Sequence, residues 1–277
     1  MAKKLRDGLG DRMKEFYENR AKTKLIRRMP VIIRLDGRSF HVFTRGFAKP
    51  FDKRMIEAMQ ETTLELCKNI QGCVFGYTQS DEITLILVDY NDIDVSAWYD
   101  YEVEKICSVA ASMATLCFNR IFHNKIREFV NNHYKVIIDK ETYGEELSNS
   151  VNELLRAYNN SIELGAMFDA RCFNVPISDV CNAILWRQQD ASRNSINSLG
   201  QAWFKHKELE GKNTSQVQDM LMEKYGINWN NLSTVEKRGT AIIKDENGKW
   251  FIDEEMPILK GEDRKYVESR IIFEDED

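Results

Sequence analysis

The spacing of apolar residues changes along the chain and predicts a series of strands and helices. An apolar run over residues 31–36 predicts a first strand, and apolar positions three or four residues apart predict a following helix that Asp52 caps. Alternation over residues 73–88 predicts a β-hairpin. A long helix over roughly residues 95–122 and a strand over residues 168–176 complete the order β-α-β-β-α-β. This order is typical of a ferredoxin-like unit, so we expect an α+β fold.

Outside this unit the apolar spacing is mainly helical. Residues 11–21 predict an N-terminal helix, and the polar stretch 123–160 predicts irregular or partly helical structure. A Ser/Thr-capped helix is expected near residues 214–225. The helix that follows the last strand, over residues 178–204, has candidate core contacts at Val180, Ile184, Ile196 and Leu199.

The last part of the chain predicts a second hairpin, over residues 238–253. Its two strands are separated by Asn247 and Gly248, a pair that suits a tight turn. The acidic residues 274–277 are expected to form a solvated tail. We find no internal repeat and no low-complexity stretch that would indicate a repeat architecture.

The length and charge limit what the protein can be. With 277 residues the chain can bury a sizeable core, and we expect one catalytic unit over residues 1–277. We place its core at about 30–175 and an extension of helices and a hairpin at about 176–277. The 39 basic and 44 acidic residues give a net charge of −5. Any nucleic-acid binding must therefore use local basic patches.

The cysteines and the apolar runs indicate a cytoplasmic protein that does not bind membranes. The six cysteines form no CxxC pair, and most lie in apolar helix or strand segments, as reduced core thiols do. No apolar run approaches the ~20 residues that a spanning helix needs. The N-terminal residues also lack the apolar stretch of a signal peptide.

Two carboxylates are expected to meet at one edge of the predicted sheet. In a ferredoxin-like unit the first and third strands are antiparallel neighbours, which brings Asp36 at the end of strand one beside Asp81 at the start of strand three. An acid at a strand end is often only a turn residue, but a pair there favours a site for hard divalent cations. The Gly37 carbonyl would complete the ligand set. Glu82 points to the opposite strand face from Asp81, which makes it a weaker ligand candidate.

Several polar and basic residues have two open readings. For His41 the two interpretations are contact with a base or phosphate and a structural role. For Lys49, near the start of the first helix, they are contact with a triphosphate and simple exposure to solvent. The polar residues between Trp186 and Asn194 either pair within the core or line a cleft. Basic residues of the late hairpin either touch an RNA backbone or balance nearby acids.

Other catalytic classes are not supported by the motifs. The chain has no GxxxxGK[ST] P-loop and no GxGxxG after a strand. Its four histidines show neither HExxH nor zinc-finger spacing. Zinc hydrolysis and dinucleotide-dependent redox chemistry are therefore not expected.

Six motifs, in order and spacing, resemble the tRNA-histidine guanylyltransferase superfamily. They run from about Arg34 to Thr240 and read RLDGRSFHVF, FAKPFD, GYTQSDE, FDARCFNVP, WRQQD, and GINWNN with KRGT. The resemblance implies a palm domain similar to that of ordinary polymerases and addition of nucleotides to the 5′ end of RNA. It also implies a homotetramer built as a dimer of dimers, with Mg²⁺, ATP and GTP as cofactor and substrates.

The resemblance also implies roles for individual residues. Asp36, Gly37 and Asp81 would be the ligands of two Mg²⁺ ions, and Glu82 and Lys49 would join the aspartates in catalysis. The nucleotide would contact Arg34, Gly37, Arg38, Ser39, Phe40, His41, Ser80, Lys105 and Asn194. Asp169 is a weaker candidate, and RNA would contact Arg171, Arg187, Arg193, Lys237 and Arg238.

One departure from the eukaryotic pattern changes the expected activity. In the eukaryotic enzymes the WRQ-D helix continues as HINNLYN, whereas here Ala191 follows Asp190 and no histidine is present. The chain thus resembles the guanylyltransferase-like branch, which is associated with template-dependent repair of tRNA 5′ ends. We expect Mg²⁺-dependent 3′-to-5′ nucleotide addition of that kind.

Three alternatives stay open at this stage. The first is addition of an extra guanylate to histidine tRNA. The second is a nucleotide cyclase or 5′-to-3′ polymerase on the same palm. The third is an RNA-binding module without catalysis, although the aliphatic central strands lack the exposed aromatic residues that such sheets use for base stacking.

Overall fold

The structure of the protein is a computed structural model that describes residues 8–92 and 94–273. The predicted acidic tail lies outside the described residues. The strands are β1 (Val31–Gly37), β2 (Cys73–Gln79), β3 (Glu82–Leu87), β4 (Phe168–Asn174), β5 (Thr240–Lys244) and β6 (Trp250–Asp253). The α-helices are α1 (Gly8–Met13), α2 (Asn19–Ala21), α3 (Phe40–Phe43), α4 (Lys53–Asn69), α5 (Val103–Ile138), α6 (Lys140–Tyr143), α7 (Glu145–Leu164), α8 (Ile177–Trp203), α9 (His206–Leu209), α10 (Thr214–Tyr225), α11 (Thr234–Arg238) and α12 (Lys265–Glu268). A π-helical turn, Lys14–Glu18, joins α1 to α2, and 3₁₀ turns cover Trp98–Tyr101, Trp229–Asn231 and Gly261–Arg264.

The strands form one antiparallel sheet in the order β4-β1-β3-β2-β5-β6. Strand β1 lies between β3 and β4 and is antiparallel to both. The first four strands with α4 and α5 have the β-α-β-β-α-β order, so the prediction of a ferredoxin-like α+β fold is confirmed. The late hairpin of β5 and β6, with Gly248 at positive φ in its turn, extends the same sheet by pairing with β2.

Helices α4 and α5 cover one face of this sheet. Ile33 and Leu35 of β1 and Leu85 of β3 are every-second-residue positions whose side chains face these helices and are fully buried. Burial of each such side chain contributes about 1.5–3 kcal/mol. Asp52 caps α4 as predicted, because its Oδ1 accepts hydrogen bonds from the first free N–H groups of the helix. Aromatic side chains of α5 pack with those of neighbouring elements in one cluster, which consists of Phe40, Phe43, Phe47, Phe118, Phe122, Tyr158 and Phe168.

Helix α5 differs from its prediction at both ends. It begins only at Val103, because residues 99–101 have positive φ and form a 3₁₀ turn. It also continues far beyond its expected end, and α6 and α7 follow, so the stretch 123–160 is almost entirely helical. Only a narrow side of this part of α5 is apolar, with Ile126 and Phe129 buried among mostly polar neighbours. Because most residues of this part of α5 are polar, the helical spacing of its few apolar residues was not evident in the sequence.

Helix α8 packs on the opposite face of the sheet. Val180 and Ile184 are fully buried there, as predicted, against apolar residues of β2, β3 and β5. Further along the helix, Ile196 and Leu199 are also buried, but in a separate cluster with α10. One long helix thereby joins the sheet to the C-terminal helices.

The remaining predictions concern the two flanking helices. Residues 11–21 are helical as predicted, but Met13, Phe16 and Tyr17 are all exposed. Helix α10 is capped by Asn213 and not by Ser or Thr, because the Asn213 side chain accepts a hydrogen bond from the helix backbone. Within residues 8–92 and 94–273 no helix is both long and apolar enough to span a membrane.

Candidate active site

The sheet brings the two predicted carboxylates to the same edge. Asp36 at the end of β1 lies opposite Glu82 of β3 on one side and Asp169 of β4 on the other. The next backbone N–H, of Gly37, donates a hydrogen bond to the Asp81 carbonyl at 3.0 Å. The end of β1 is therefore tied directly to the turn that carries Asp81.

This close approach requires glycine at position 37. A Cβ atom there would lie 2.9 Å from the Cβ of Asp81 and 2.2 Å from Cδ2 of Phe40. Ser80, the other residue of the β2–β3 turn, has a φ of 51°, in the left-handed region. Its Oγ donates to Oδ1 of Asp81 at 3.0 Å and fixes the orientation of that carboxylate. Local backbone geometry thus presents the second acid to the first.

The electrostatics of this edge favour a cation. Burial raises the pKa of Asp81, the Ser80 hydrogen bond opposes that shift, and the negative charge of Asp36 raises the pKa further. A carboxylate that costs free energy to keep ionised, as Asp81 does, is stabilised when a positive charge lies beside it. The site therefore has the charge that a metal ion would balance.

The oxygen atoms available at this edge suit a Mg²⁺ ion that takes its remaining ligands from water and phosphate oxygens. Within the described parts of the chain no group of three or more His, Cys, Asp or Glu side chains is arranged to hold a metal ion. Mg²⁺ keeps several waters, however, and is usually held by one or two carboxylates plus phosphate oxygens. Asp36 and Asp81, with the Gly37 carbonyl, match this smaller requirement, whereas a closed structural site would not.

A cavity of about 620 Å³ opens beside these residues. Its wall is formed by the loop after β1, the N-terminal part of α4, the β2–β3 turn, and the middle of α8. Asp52 also lines this cavity, although the sequence identified it only as a helix cap. The predicted nucleotide and catalytic residues that line it are Gly37, Ser39, Phe40, His41, Lys49, Ser80, Asp81 and Asn194.

Glu82 and Arg187 form a buried ion pair behind the edge. Nε and Nη2 of Arg187 donate to the two carboxylate oxygens of Glu82 at 2.5 and 2.7 Å, and the side chains are 10% and 9% exposed. Nη2 of Arg187 also donates to Asp190 at 2.9 Å. Burial raises the pKa of Glu82, and the Arg187 hydrogen bonds and charge lower it. Nε and Nη2 of Arg187 are thus engaged inside the protein and hold Glu82 in place. The RNA contact that the sequence suggested for Arg187 stays a prediction.

Other basic residues that the sequence singled out lie apart from the cavity. Arg34 lies two residues before Asp36 on β1 and does not line the cavity. Its Nε is buried without a hydrogen-bond partner, and its guanidinium lies 5.6 Å from the centre of the Trp186 ring. Lys105, in the first turn of α5, stacks on Tyr99 at 5.2 Å and does not line the cavity.

The other predicted RNA-binding residues are at the surface. Arg171, on edge strand β4, is exposed and pairs with Asp169 at 3.0 Å. Arg38, which was predicted to contact the nucleotide, is also exposed; it follows β1, and its backbone N–H donates to the Met167 carbonyl. A second cavity, on the other side of α8, is lined by Arg193, Lys237 and Arg238.

Comparison with known proteins identifies the family of this site. The family model described as "Thg1: tRNAHis guanylyltransferase" matches residues 10–176. The chain belongs to the tRNAHis guanylyltransferase family. It is therefore a nucleotidyltransferase, and the catalytic prediction from the sequence is confirmed at this level.

Solved structures and curated relatives agree with this assignment. A bacterial tRNA(His) guanylyltransferase (Thg1)-like protein in complex with ATP superposes with a TM-score of 0.77 at 39% identity, over 96% of this chain and 100% of that chain. A bacterial Thg1-like protein in complex with GTP gives 0.72 at 37%, with the same coverage. A probable tRNA(His) guanylyltransferase of Dictyostelium discoideum is 25% identical over 79% of this chain and 77% of its own length. The similarity to bacterial guanylyltransferase-like proteins confirms the branch that the altered α8 sequence predicted.

Proposed function

We propose that this member of the tRNAHis guanylyltransferase family is a Mg²⁺-dependent enzyme that adds nucleotides to the 5′ end of tRNA, guided by pairing with the opposite strand. The observation that carries the proposal is that the end of β1, with Asp36, is tied to the turn of Asp81 beside a cavity that Asp81 and Lys49 line. A triphosphate bound there would find a cation at Lys49. The ATP and GTP complexes of the bacterial relatives support nucleotide binding by this protein, and the cavity is where we propose that it occurs.

The proposed reaction has two phosphoryl-transfer steps. An oxygen of the RNA 5′-phosphate first attacks the α-phosphorus of ATP, which forms a 5′-adenylylated end and releases pyrophosphate. The 3′-hydroxyl of an incoming nucleoside triphosphate, often GTP, then loses its proton and attacks the activated 5′-phosphorus, which releases AMP. A 5′-triphosphorylated RNA needs no activation. Because no covalent enzyme intermediate forms, the protein contributes position and charge balance.

Each part of the site has a task in this reaction. Asp36, Asp81 and the Gly37 carbonyl would hold Mg²⁺, which neutralises phosphate charge and stabilises the attacking and leaving oxygens. His41 and Asn194 line the cavity from two sides and would orient the nucleotide. Ser80 fixes the Asp81 carboxylate. Surface cations, including Arg171 and Arg193, would contact the RNA backbone.

We further propose a cytoplasmic homotetramer assembled as a dimer of dimers. The exposed apolar residues of the N-terminal helix, Met13, Phe16 and Tyr17, support a contact between copies. All six cysteines are free, which is consistent with a reducing compartment. Size-exclusion chromatography with light scattering on the wild type and on a Phe16→Asp variant tests the assembly, and a wild-type monomer at micromolar concentration would refute it.

One nucleotide-addition assay tests the proposed activity. The protein is incubated with Mg²⁺ and all four nucleoside triphosphates, of which ATP also serves for activation. One reaction contains tRNA that lacks one or two 5′ nucleotides, and a parallel reaction contains intact histidine tRNA. We expect restoration of the missing nucleotides according to the opposite strand. Asp36→Asn should abolish it, whereas Asp219→Asn, the same charge change at an exposed site on α10, should not.

The other outcomes identify the alternatives. Preferential addition of a guanylate to intact histidine tRNA would replace our proposal with that activity. Products extended at the 3′ end, or cyclic nucleotides, would indicate ordinary polymerase or cyclase chemistry. RNA binding without any incorporation would indicate a binding module.

A further inference from the structure

The second cavity, of about 470 Å³, has the composition of a site for a single nucleic-acid strand. Four cationic side chains line it, Arg193, Lys237, Arg238 and Lys260, and no carboxylate does. In the described part of the chain no acidic group forms an ion pair with Lys237, Arg238 or Lys260. The positive charge of this cavity is thus largely uncompensated, and it complements a phosphate backbone.

Two tryptophans give the cavity an aromatic wall. Trp186 is 49% exposed, and the guanidinium groups of Arg34 and Arg187 also lie over its ring, at 5.6 and 4.5 Å. Trp229 also lines the cavity, and its Nε1–H donates to Oγ of Ser195 at 2.9 Å, which holds the indole in place. A base that stacks on an aromatic side chain gains affinity without regard to sequence. Cations beside an indole face are the combination found in grooves that bind single strands.

The position of the cavity relates it to the reaction centre. Ala191, Asn194 and Ser195 of α8 line the first cavity, whereas Trp186, Gln189 and Arg193 line the second. At 3.6 residues per turn these two sets lie on largely opposite faces of the helix. Helix α11 contributes to both cavities as well. The two spaces are therefore separated by a wall about one helix thick.

Template-directed growth of a 5′ end imposes a shape on the substrate. The recessed 5′ end needs an opposite strand that protrudes, unpaired, at its 3′ end, and that strand must leave the reaction centre close by. We propose that the second cavity binds an unpaired nucleotide of this protruding strand, with its phosphates on Lys237 and Lys260 and its base against Trp186. This inference rests on the proposed function.

The test compares two RNA hairpins with the same stem, one blunt and one with a four-nucleotide 3′ overhang. Binding is measured by fluorescence anisotropy without Mg²⁺ and nucleotides, so that no reaction occurs. We expect Lys237→Ala/Lys260→Ala to weaken binding of the overhang hairpin about tenfold and to reduce the magnitude of its salt slope by about 1.4, from two lost phosphate contacts. Binding of the blunt hairpin should change less than twofold. The control Lys249→Ala/Lys265→Ala removes two exposed cations elsewhere and should change neither.

A second pair of variants tests the stacking contact. Trp186→Ala should weaken binding of the overhang hairpin, and Trp186→Phe should retain most of it, because a phenyl ring still stacks. Equal loss for both hairpins, or no loss for the overhang hairpin, would refute the proposed site.

The result is separable from the proposed activity. A wild type that binds the overhang through Lys237 and Lys260 but never extends a 5′ end would refute the proposed function and support the strand site. Normal extension together with unchanged overhang binding by Lys237→Ala/Lys260→Ala would refute the strand site and leave the function intact.

Discussion

The buried pair between Arg187 and Glu82 predicts that two arginines on one helix differ strongly in their contribution to stability. Arg187 and Arg193 both lie on α8, and both donate to Asp190, at 2.9 and 2.6 Å. Arg187 is 10% exposed and also binds the buried Glu82 through two short hydrogen bonds, whereas Arg193 is 61% exposed. Burial and the second carboxylate partner, Glu82, separate Arg187 from Arg193.

The magnitude follows from what each substitution leaves behind. Arg187→Ala leaves the Glu82 carboxylate buried without a partner, which typically costs about 3–5 kcal/mol. Arg193→Ala breaks only an exposed ion pair, for which about 0–1 kcal/mol is usual. The double variant Arg187→Leu/Glu82→Leu removes both charges and should be more stable than Arg187→Leu alone, since it leaves no unpaired ion.

Equilibrium unfolding in urea measures these differences. The free energies of unfolding are compared at equal m-values, with the wild type and Arg193→Ala as references. We expect Arg187→Ala to lose at least about 2 kcal/mol more than Arg193→Ala. A difference below about 1 kcal/mol would refute the argument that this pair is buried and that Arg187 acts by holding Glu82.

Three further predictions concern the edge of the sheet and the cap of α4. Asp81→Asn should reduce nucleotide addition at least about 10³-fold, yet raise the metal-free thermal midpoint at pH 7. Burial, and to a smaller extent Asp36, raise the pKa of Asp81, so the ionised carboxylate destabilises the folded state. This cost disappears as the pH falls through the raised pKa. A lower thermal midpoint of Asp81→Asn at pH 7 would contradict this prediction. Gly37→Ala should cost about 1–3 kcal/mol in thermal unfolding, because its Cβ would overlap Phe40 and Asp81, and wild-type stability would exclude that crowding. Asp52→Ala should lose about 2 kcal/mol in urea unfolding, since it removes both the cap and the acceptor of a neighbouring tyrosine hydroxyl; a loss below about 0.5 kcal/mol would exclude a stabilising cap.

The sequence was sufficient for the parts of the fold that depend on regular spacing. The apolar run of β1 and the alternation over β2 and β3 predicted strands of the sheet, and the expected topology then placed Asp36 near Asp81. Features that depend on distant partners were not predictable. Nothing in the local pattern shows that Arg187 faces Glu82 from a helix 105 residues away. The same holds for Lys105, whose stacking on Tyr99 places it apart from the cavity.

Helix α8 is the element at which these observations meet. Its buried face carries Arg187, which fixes Glu82 behind the catalytic edge, and its other faces line the two cavities. The change that separates this chain from the eukaryotic enzymes begins at Ala191, which is buried and lines the first cavity. The residues after it, up to Ser195, line one cavity or the other. A change of sequence confined to this helix therefore alters the walls of both cavities together, while the carboxylate edge formed by β1 and the β2–β3 turn stays the same. In the proposed reaction, such an arrangement would let one phosphoryl-transfer centre act on different RNA ends, because the choice of RNA would depend on α8 and the chemistry on the sheet.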